Sequence, residues 1–423
     1  MRSSSLAQRA GSVAGYGPGA LDVETARAAI RACLVPIADT ERVRVDEALG
    51  RVLDEPIVPA IDVPAQDNAA MDGYALRAAD LAGNGATRLR EIGAAFAGRP
   101  FDGAVGAGEC VRIMTGAAIP AGADTVVVQE AIETQAGEVR VPAGQSPGQH
   151  VRRAGEDLRR GVAVLAPGSA LGPAELGLIA SLGIGAVRVR RRLRVACLST
   201  GDELAAPGAA LADGQRYDSN RYAIGGLLAR LGVERIDLGI VRDEPRALET
   251  ALGEAARHAD AVVTTGGVSV GEADHIRPVL EQLGEVLFWK IAMRPGQSMA
   301  FGRIGNAFFF GLPGNPVAAM VAFSQFVREA LLRLAGRSGG FVPPLFTAKA
   351  AGALRKRPGR TEFQRGVLFH DAAGDWAVRS SGDQGSGVLR SMSEANCFIV
   401  LEQARSSVAA GERVQVQRFD WLD

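Results

Sequence analysis

Apolar residues recur at helical spacing over residues 22–35, where Val23, Ala26, Ile30 and Leu34 fall on one face. Asp22 stands where an N-cap belongs. Residues 41–59 read as a short linking segment. From about 60 to 158 the period shortens to runs such as 125–129 and Glu138–Val141 between Gly- and Pro-bearing turns, which predicts a small β-rich domain. Pro173 opens and Gly183 closes a helix over 173–182. From 187 to 335 strands and helices alternate. Strands are expected at 187–198, 235–241, Ala261–Thr265 and 307–311, with two more before 304, and helices at 219–231, Pro245–His258 and 317–335. That alternation predicts a parallel sheet with helices on both faces, and a ligand crevice outside the carboxyl ends of its strands. Residues 339–423 return to short strands, among them Cys397–Leu401 and 413–417, with a turn at 371–375.

At roughly 150 residues per domain, 423 residues suit about three domains. Acids and bases balance at 47 each, which argues against a nucleic-acid partner held by bulk charge. The four cysteines form no CxxC pair, so a zinc ribbon or thioredoxin-type site is not expected, and their scarcity fits a reducing cytoplasm. No apolar run of 18 residues exists, and residues 1–20, rich in Gly, Ser and Ala, read as a loose tail. Only Lys290, Lys349 and Lys356 are lysines among the 47 basic residues, a bias that coding composition explains and that draws attention to each survivor.

The candidate chemistry sits in the loops after the strands. These are Thr200-Gly201-Asp202-Glu203-Leu204, then Arg242-Asp243-Glu244-Pro245, and the long run from Thr264 through Gly266, Gly267 and Ser269 to Asp274. Glycines let the backbone approach a ligand and turn amides toward an anion. The carboxylates want a cation. Two bare carboxylates about 4 Å apart repel by roughly 4 kcal/mol at an effective dielectric of 20. A rim holding Glu203, Asp243 and Asp274 therefore needs a metal, a basic partner or wide spacing. Phosphate on backbone amides with Mg²⁺ on carboxylates meets both demands. The plainer alternative makes Glu244 the N-cap of the Pro245 helix and Glu203 a solvated loop acid. Gly311-Leu312-Pro313-Gly314-Asn315-Pro316 ends a strand and starts a helix, with Asn315 as cap and free amides offered to an anion. Lys290 and Arg294 close another strand-like run and suit an oxyanion, or the acids opposite.

Taken in order, these loops resemble one family, the molybdopterin molybdenumtransferases: the bacterial MoeA proteins and the matching domain of gephyrin. Further motifs in the same order are Met71-Asp72-Gly73-Tyr74-Ala75, Thr115-Gly116 with Pro120 and Gly122-Ala123-Asp124, Gly155-Glu156-Asp157, Phe363-Gln364-Arg365-Gly366 and Gln384-Gly385-Ser386. The resemblance covers nearly the whole chain from about residue 20. It implies a multidomain α/β plus β protein. The central α/β molybdopterin-binding domain would use 21–40 and 187–338, and an extended linking domain 41–59 and 159–186. A β-rich domain would occupy 60–158 and a C-terminal β-barrel-like domain 339–423. It also implies a cytoplasmic homodimer with a cleft shared between subunits, no nucleic acid and no membrane. Molybdopterin adenylyltransferase and molybdoenzyme apo-proteins would be its partners. The implied reaction inserts molybdenum from molybdate into adenylyl-molybdopterin with Mg²⁺-dependent release of AMP.

The residues carried over as catalytic are Asp72, Asp157, Glu203, Asp243, Asp274 and Lys290, with Asp243, Asp274 and Glu203 as metal ligands. Substrate binding falls to Thr115, Thr200, Gly201, Gly266, Gly267, Ser269, Arg294, Pro313, Gly314, Asn315, Pro316, Arg365 and Ser386. Asp72, Thr115 and Asp157 would come from the partner subunit. Family matching favours Glu203 over Asp202 as the inward acid. Arg294 departs from the family, where many members carry lysine, and loses the compact ammonium. Three other readings compete. A molybdopterin adenylyltransferase shares the α/β unit but leaves 60–158 and 339–423 unexplained, and a CinA-like hydrolase carries a different acidic loop. A gephyrin-like scaffold or cofactor carrier would keep the fold without catalysis.

Overall fold

The computed structural model describes residues 20–135, 137–267 and 276–419. The tail expected at 1–20 falls almost wholly outside that range, as do Ser269 and Asp274. The chain is mixed α/β, with a closed β-barrel at its C-terminal end.

The central sheet has six strands: β1 (Arg194–Thr200), β2 (Glu234–Val241), β3 (Ala261–Thr265), β4 (Gly284–Lys290), β5 (Ser298–Ile304) and β6 (Ala307–Leu312), in the order β2-β1-β3-β6-β5-β4. Alternating side chains serve two cores. Val195 and Cys197 of β1, Val263 of β3 and Phe310 of β6 face a core capped by the helices Val23–Cys33, Asn220–Arg230 and Pro316–Ala322. Ala196, Leu198, Val262 and Phe309 face a second core under Pro245–His258 and Ile276–Leu283. Asp22 does cap the first helix, its carboxylate accepting from the Thr25 amide at 2.9 Å.

Two expectations need correction. The sheet is not wholly parallel. β2, β1, β3 and β6 run parallel, while β5 is antiparallel to both β6 and β4. The cause is a two-residue turn, Gly305-Asn306, which closes the hairpin where Ile304 faces Ala307. Because β5 runs backward, β4 points the same way as the parallel set, and Lys290 reaches the same rim. The strand expected over 187–198 is two strands. Ala186–Arg190 pairs with Thr40–Arg44, whereas Arg194–Thr200 enters the central sheet. Between them Arg191 is held by Asp39 and Asp260, and that anchor turns the chain from one sheet to the other.

Residues 60–158 hold a six-stranded sheet in which Gly73 crosses its neighbour so closely that a Cβ would lie 2.0 Å from Val127 O. The C-terminal barrel closes when Thr361–His370 pairs with Cys397–Leu401 as well as with Trp376–Ser380. The long helix continues from Pro316–Ala322 through a π-helical turn at Phe323–Val327 into Arg328–Leu334.

Asp260 accepts both Arg191 guanidinium nitrogens at 2.7 Å and the Arg194 amide at 2.8 Å. Burial alone would raise its pKa, but Arg191 and the Arg194 amide outweigh it and hold it below the usual range. A carboxyl depressed in this way contributes stability above its unfolded pKa of about 3.9 and loses that contribution as pH falls through the folded value. Asp260→Asn should therefore lower stability by roughly 2 kcal/mol at pH 7, with a deficit that narrows below about pH 4 in thermal melts.

Candidate functional site

The carboxyl ends of the parallel strands open onto a cavity of about 520 Å³. Its walls come from loops the sequence singled out: Thr200, Gly201 and Glu203 after β1, Asp243 after β2, Gly266 and Gly267 after β3, Arg294 after β4, and Pro313, Gly314 and Asn315 after β6. Ser386 joins them from the barrel. Gly266 and Gly267 have φ of +93° and +63°, and a Cβ on Gly266 would fall 2.5 Å from Thr200 O, so both positions demand glycine. The Gly266 amide is not turned to a ligand, because it donates to Leu312 O at 3.1 Å. The Thr200 hydroxyl is buried at this wall without a hydrogen-bond partner among the described residues, and a Cβ on Gly267 would come 3.1 Å from it. Beneath it, Ser199 Oγ lies 3.0 Å from Asp218 and 2.9 Å from Thr265 Oγ1, and Arg221 grips Asp218 from the next helix.

The acids are partly balanced by a base. Arg216 donates to Glu203 at 2.7 Å, and its amide donates to Glu203 O at 2.8 Å. Glu203 lines the cavity, whereas exposed Asp202 accepts from the Asp243 amide at 3.2 Å, so Glu203 is the inward acid of the two. Glu244 occupies the N-cap position of the Pro245 helix but makes no side-chain cap bond there. Among the described residues no group of three or more His, Cys, Asp or Glu is disposed to hold a metal ion; two carboxylates, Glu203 and Asp243, line the cavity.

The barrel supplies the far wall. Met293–Arg294 pairs in parallel with Thr361 and Glu362, and the Thr361 amide donates to Ala292 O at 2.8 Å. Arg360 and Gln384 line the cavity with Ser386. Ser386 O accepts the Val317 amide at 3.1 Å, and Asn315 Nδ2 donates to Ser386 Oγ at 3.1 Å. Asn315 does hold the expected N-cap position, but its side chain makes no cap bond and the Val317 amide is not free. The Asn315 side chain and one first-turn amide are spent on docking the barrel loop.

Arg365 lies at 1% exposure, away from the cavity lining. Its guanidinium donates to Asp383 O, Gly385 O and Ser391 Oγ at 3.0–3.2 Å, so it shapes the loop that carries Gln384 and Ser386. Burial pushes its pKa down to about 10, with nearby Arg294 adding to the shift and Asp383 opposing it. Lys290 is exposed on the rim opposite Ser298, and neither it nor Pro316 lines the cavity.

Asp72, Thr115 and Asp157 do not line the cavity of their own chain. Asp72 and Thr115 do meet, the Thr115 amide and hydroxyl both donating to Asp72 at 2.7 Å, which holds that carboxyl below its usual range. Asp157 borders a separate cleft with Pro64, Asn68 and Glu156.

Sequence reasoning missed Arg216, Asn220, Gln297 and Arg360, and assigned Gln384 no role although it stands inside a quoted motif. The dense polar run Arg216-Tyr217-Asp218-Ser219-Asn220-Arg221 exceeds what one helix cap needs and was a usable signal. Arg360, one of many arginines, carried none.

Comparison with known proteins adds an independent finding. Profiles described as "MoeA N-terminal region (domain I and II)", "Probable molybdopterin binding domain" and "MoeA C-terminal region (domain IV)" match residues 21–183, 196–333 and 347–419. The chain is 46% identical over 384 residues to a molybdopterin molybdenumtransferase of Haemophilus influenzae, covering 90% of this chain and 95% of that one. A Nostoc protein of the same name is 34% identical, with 89% and 88% covered. A solved molybdopterin biosynthesis moeA protein from Pyrococcus horikoshii superposes with a TM-score of 0.77 at 33% identity, covering 95% of this chain and 100% of that one.

Thr200→Val removes the orphaned hydroxyl and keeps the shape. It should leave thermal stability unchanged or raise it by about 1 kcal/mol, while weakening whatever ligand uses that oxygen. Calorimetric melts beside ligand titration check both halves.

Proposed function

The chain belongs to the MoeA family of molybdopterin molybdenumtransferases, and on that premise we propose that it transfers molybdenum from molybdate to adenylyl-molybdopterin with Mg²⁺-dependent release of AMP. The observation that carries this reading is one cavity with Glu203 and Asp243 among its acids and Arg216, Arg294 and Arg360 among its bases, large enough for a nucleotide-bearing ligand. Glu203 and Asp243, from neighbouring loops on one cavity, suit a hard divalent cation. Bound there, Mg²⁺ would offset charge on the phosphate oxygens as the anhydride breaks. Asp274 keeps the ligand role that its motif assigns.

The chain's own groups do the rest. Arg216 is shared between Glu203 and the cavity, so a phosphate entering beside it meets a cation already oriented by that ion pair. Thr200 Oγ1 and the Gly267 turn hold the backbone close to the phosphates. Ser386, whose hydroxyl proton is left free when Asn315 donates to its oxygen, stands beside Gly314 at the start of the long helix and suits a tetrahedral oxyanion such as molybdate, with Arg294 supplying charge from the same cavity wall and Lys290 keeping the role that its motif assigns. Arg365 acts through the 383–386 loop as a positioning residue.

The partner subunit's Asp72, Thr115 and Asp157 would roof the cleft in a homodimer. Their absence from the cavity of their own chain supports that arrangement. A cytoplasmic location fits four buried cysteines, all free. No described helix is long and apolar enough to cross a membrane.

Incubation with adenylyl-molybdopterin, Mg²⁺ and either molybdate or tungstate should release AMP. Binding of the pterin without oxyanion-dependent AMP release would instead assign the chain to the carrier or scaffold class. Asp243→Asn should cost about 10²-fold or more in turnover while leaving the melting temperature nearly unchanged. Mixing Asp72→Ala with Asp243→Asn subunits should restore about a quarter of wild-type activity, since half the random dimers carry one intact site. No rescue would refute the shared cleft.

A further inference from the structure

A second cavity, of about 450 Å³, opens at the opposite end of the central sheet, where Arg190–Leu193 leads into β1 and Gly232–Val233 into β2. Seven of its nineteen lining residues are arginines and none is acidic. They come from the 49–52 turn, the 190–193 turn, the end of the Asn220–Arg230 helix and the end of the long helix. A protein of zero net charge has no compositional reason to gather seven cations in one hollow.

The local charge is only partly neutralised. Arg51 is paired with Glu41, Arg190 with Asp54, and Arg191 with Asp39 and Asp260. Arg192 spends a donor on Gly232 O at 2.7 Å. Among the described residues, Arg192, Arg230 and Arg337 have no carboxylate partner. Arg337 is half-buried, and burial first, then neighbouring Arg328, push its pKa below the usual arginine range. Protein interiors do not hold a desolvated cation beside another at no cost. The floor, by contrast, is apolar: Leu193, Leu227, Phe323 and Leu332 are all buried there.

We propose that this pocket binds a small phosphomonoester, its phosphate held by Arg337, Arg230 and Arg192 and its ring or carbon skeleton resting on the apolar floor. Three uncompensated guanidinium groups suit a dianion better than a carboxylate, and their planar forks match phosphate oxygens. The site is independent of the cavity at the carboxyl ends of the strands and does not rest on the reaction assigned to it.

The test is calorimetric titration at low ionic strength, where such contacts are least screened. The probes are phenyl phosphate, inorganic phosphate and benzoate. Wild-type protein should bind phenyl phosphate at least tenfold more tightly than inorganic phosphate and show no saturable benzoate binding. Arg337→Met and Arg230→Met should each weaken phenyl phosphate binding tenfold or more, while Arg294→Met, at the other cavity, should leave this phenyl phosphate affinity as in wild type. Without ligand, Arg337→Met should melt no lower than wild type, because it removes one of two crowded cations. Phenyl phosphate should then raise the melting temperature of wild type and of Arg294→Met but not that of Arg337→Met. If Arg337→Met does not fold, Arg230→Met and Arg192→Met, at exposed positions, carry the comparison. The proposal is overturned if binding survives these substitutions, if it is lost in Arg294→Met, or if benzoate binds as tightly. It is also overturned if Arg337→Met alters self-association while phenyl phosphate has no effect, which would give the pocket to a second copy of the chain.

Discussion

The site depends on a short seam between two domains. Met293–Arg294 runs beside Thr361 and Glu362, and the Ser386 carbonyl takes the amide of Val317. Those backbone hydrogen bonds set the register of a contact that is itself apolar, since Phe363, Phe398 and Phe419 of the barrel share the central domain's core, and together they carry the barrel onto the rim of the central sheet. Without them the rim would be an open crevice of glycines and acids. With them it becomes a cavity whose far wall contributes Arg360, Gln384 and Ser386. Backbone bonds suit this task because they fix two walls without consuming the charged side chains needed for a ligand.

The charge arrangement follows from the same seam. Glu203 shares the cavity wall with Asp243, and Arg216, 2.7 Å from Glu203, tempers the negative charge gathered there. The barrel meanwhile buries Arg365 with no carboxylate on its guanidinium among the described residues, satisfying it with two carbonyls and a serine hydroxyl. One arginine thus tempers an acid in the cavity, and another stiffens a loop behind it. Both are cations in composition, yet only the first lines the cavity.

Much of this was legible in the chain. Helices at Val23–Cys33 and Pro245–His258 and the strand Ala261–Thr265 follow from apolar periodicity because each packs one face on a core. The loops after β1, β2, β3 and β6 were legible because glycine, proline and acid clusters punctuate strand ends, and all of them reach one cavity. What escaped was of two kinds. The reversal of β5 hung on the Gly305-Asn306 dipeptide, which is easily lost inside a long apolar stretch. The roles of Arg365, Asn315 and Gly266 escaped because motif matching names a residue without saying which of its atoms is already engaged. Long-range partners decide that, and Arg365 finds one at Ser391 and Asn315 one at Ser386.

The long helix has a further consequence. Its first turn docks Ser386 at one cavity, and its last turns border the arginine-lined cavity at the other end of the sheet. Between them, in the wide turn at Phe323–Val327, the Gln325 side chain takes a hydrogen bond from Arg27 and gives one to Gln417, joining the N-terminal helix and the barrel to the same point. A π turn holds one residue more than the α-helical turn it replaces. An α-helical residue advances the rotation by about 100° and a residue of the wider turn by less, so the turn takes up its extra residue without shifting the angular phase between the two ends. Closing it to a regular α turn would keep both ends in phase, yet carry the Gln325 side chain off the point where the N-terminal helix and the barrel meet.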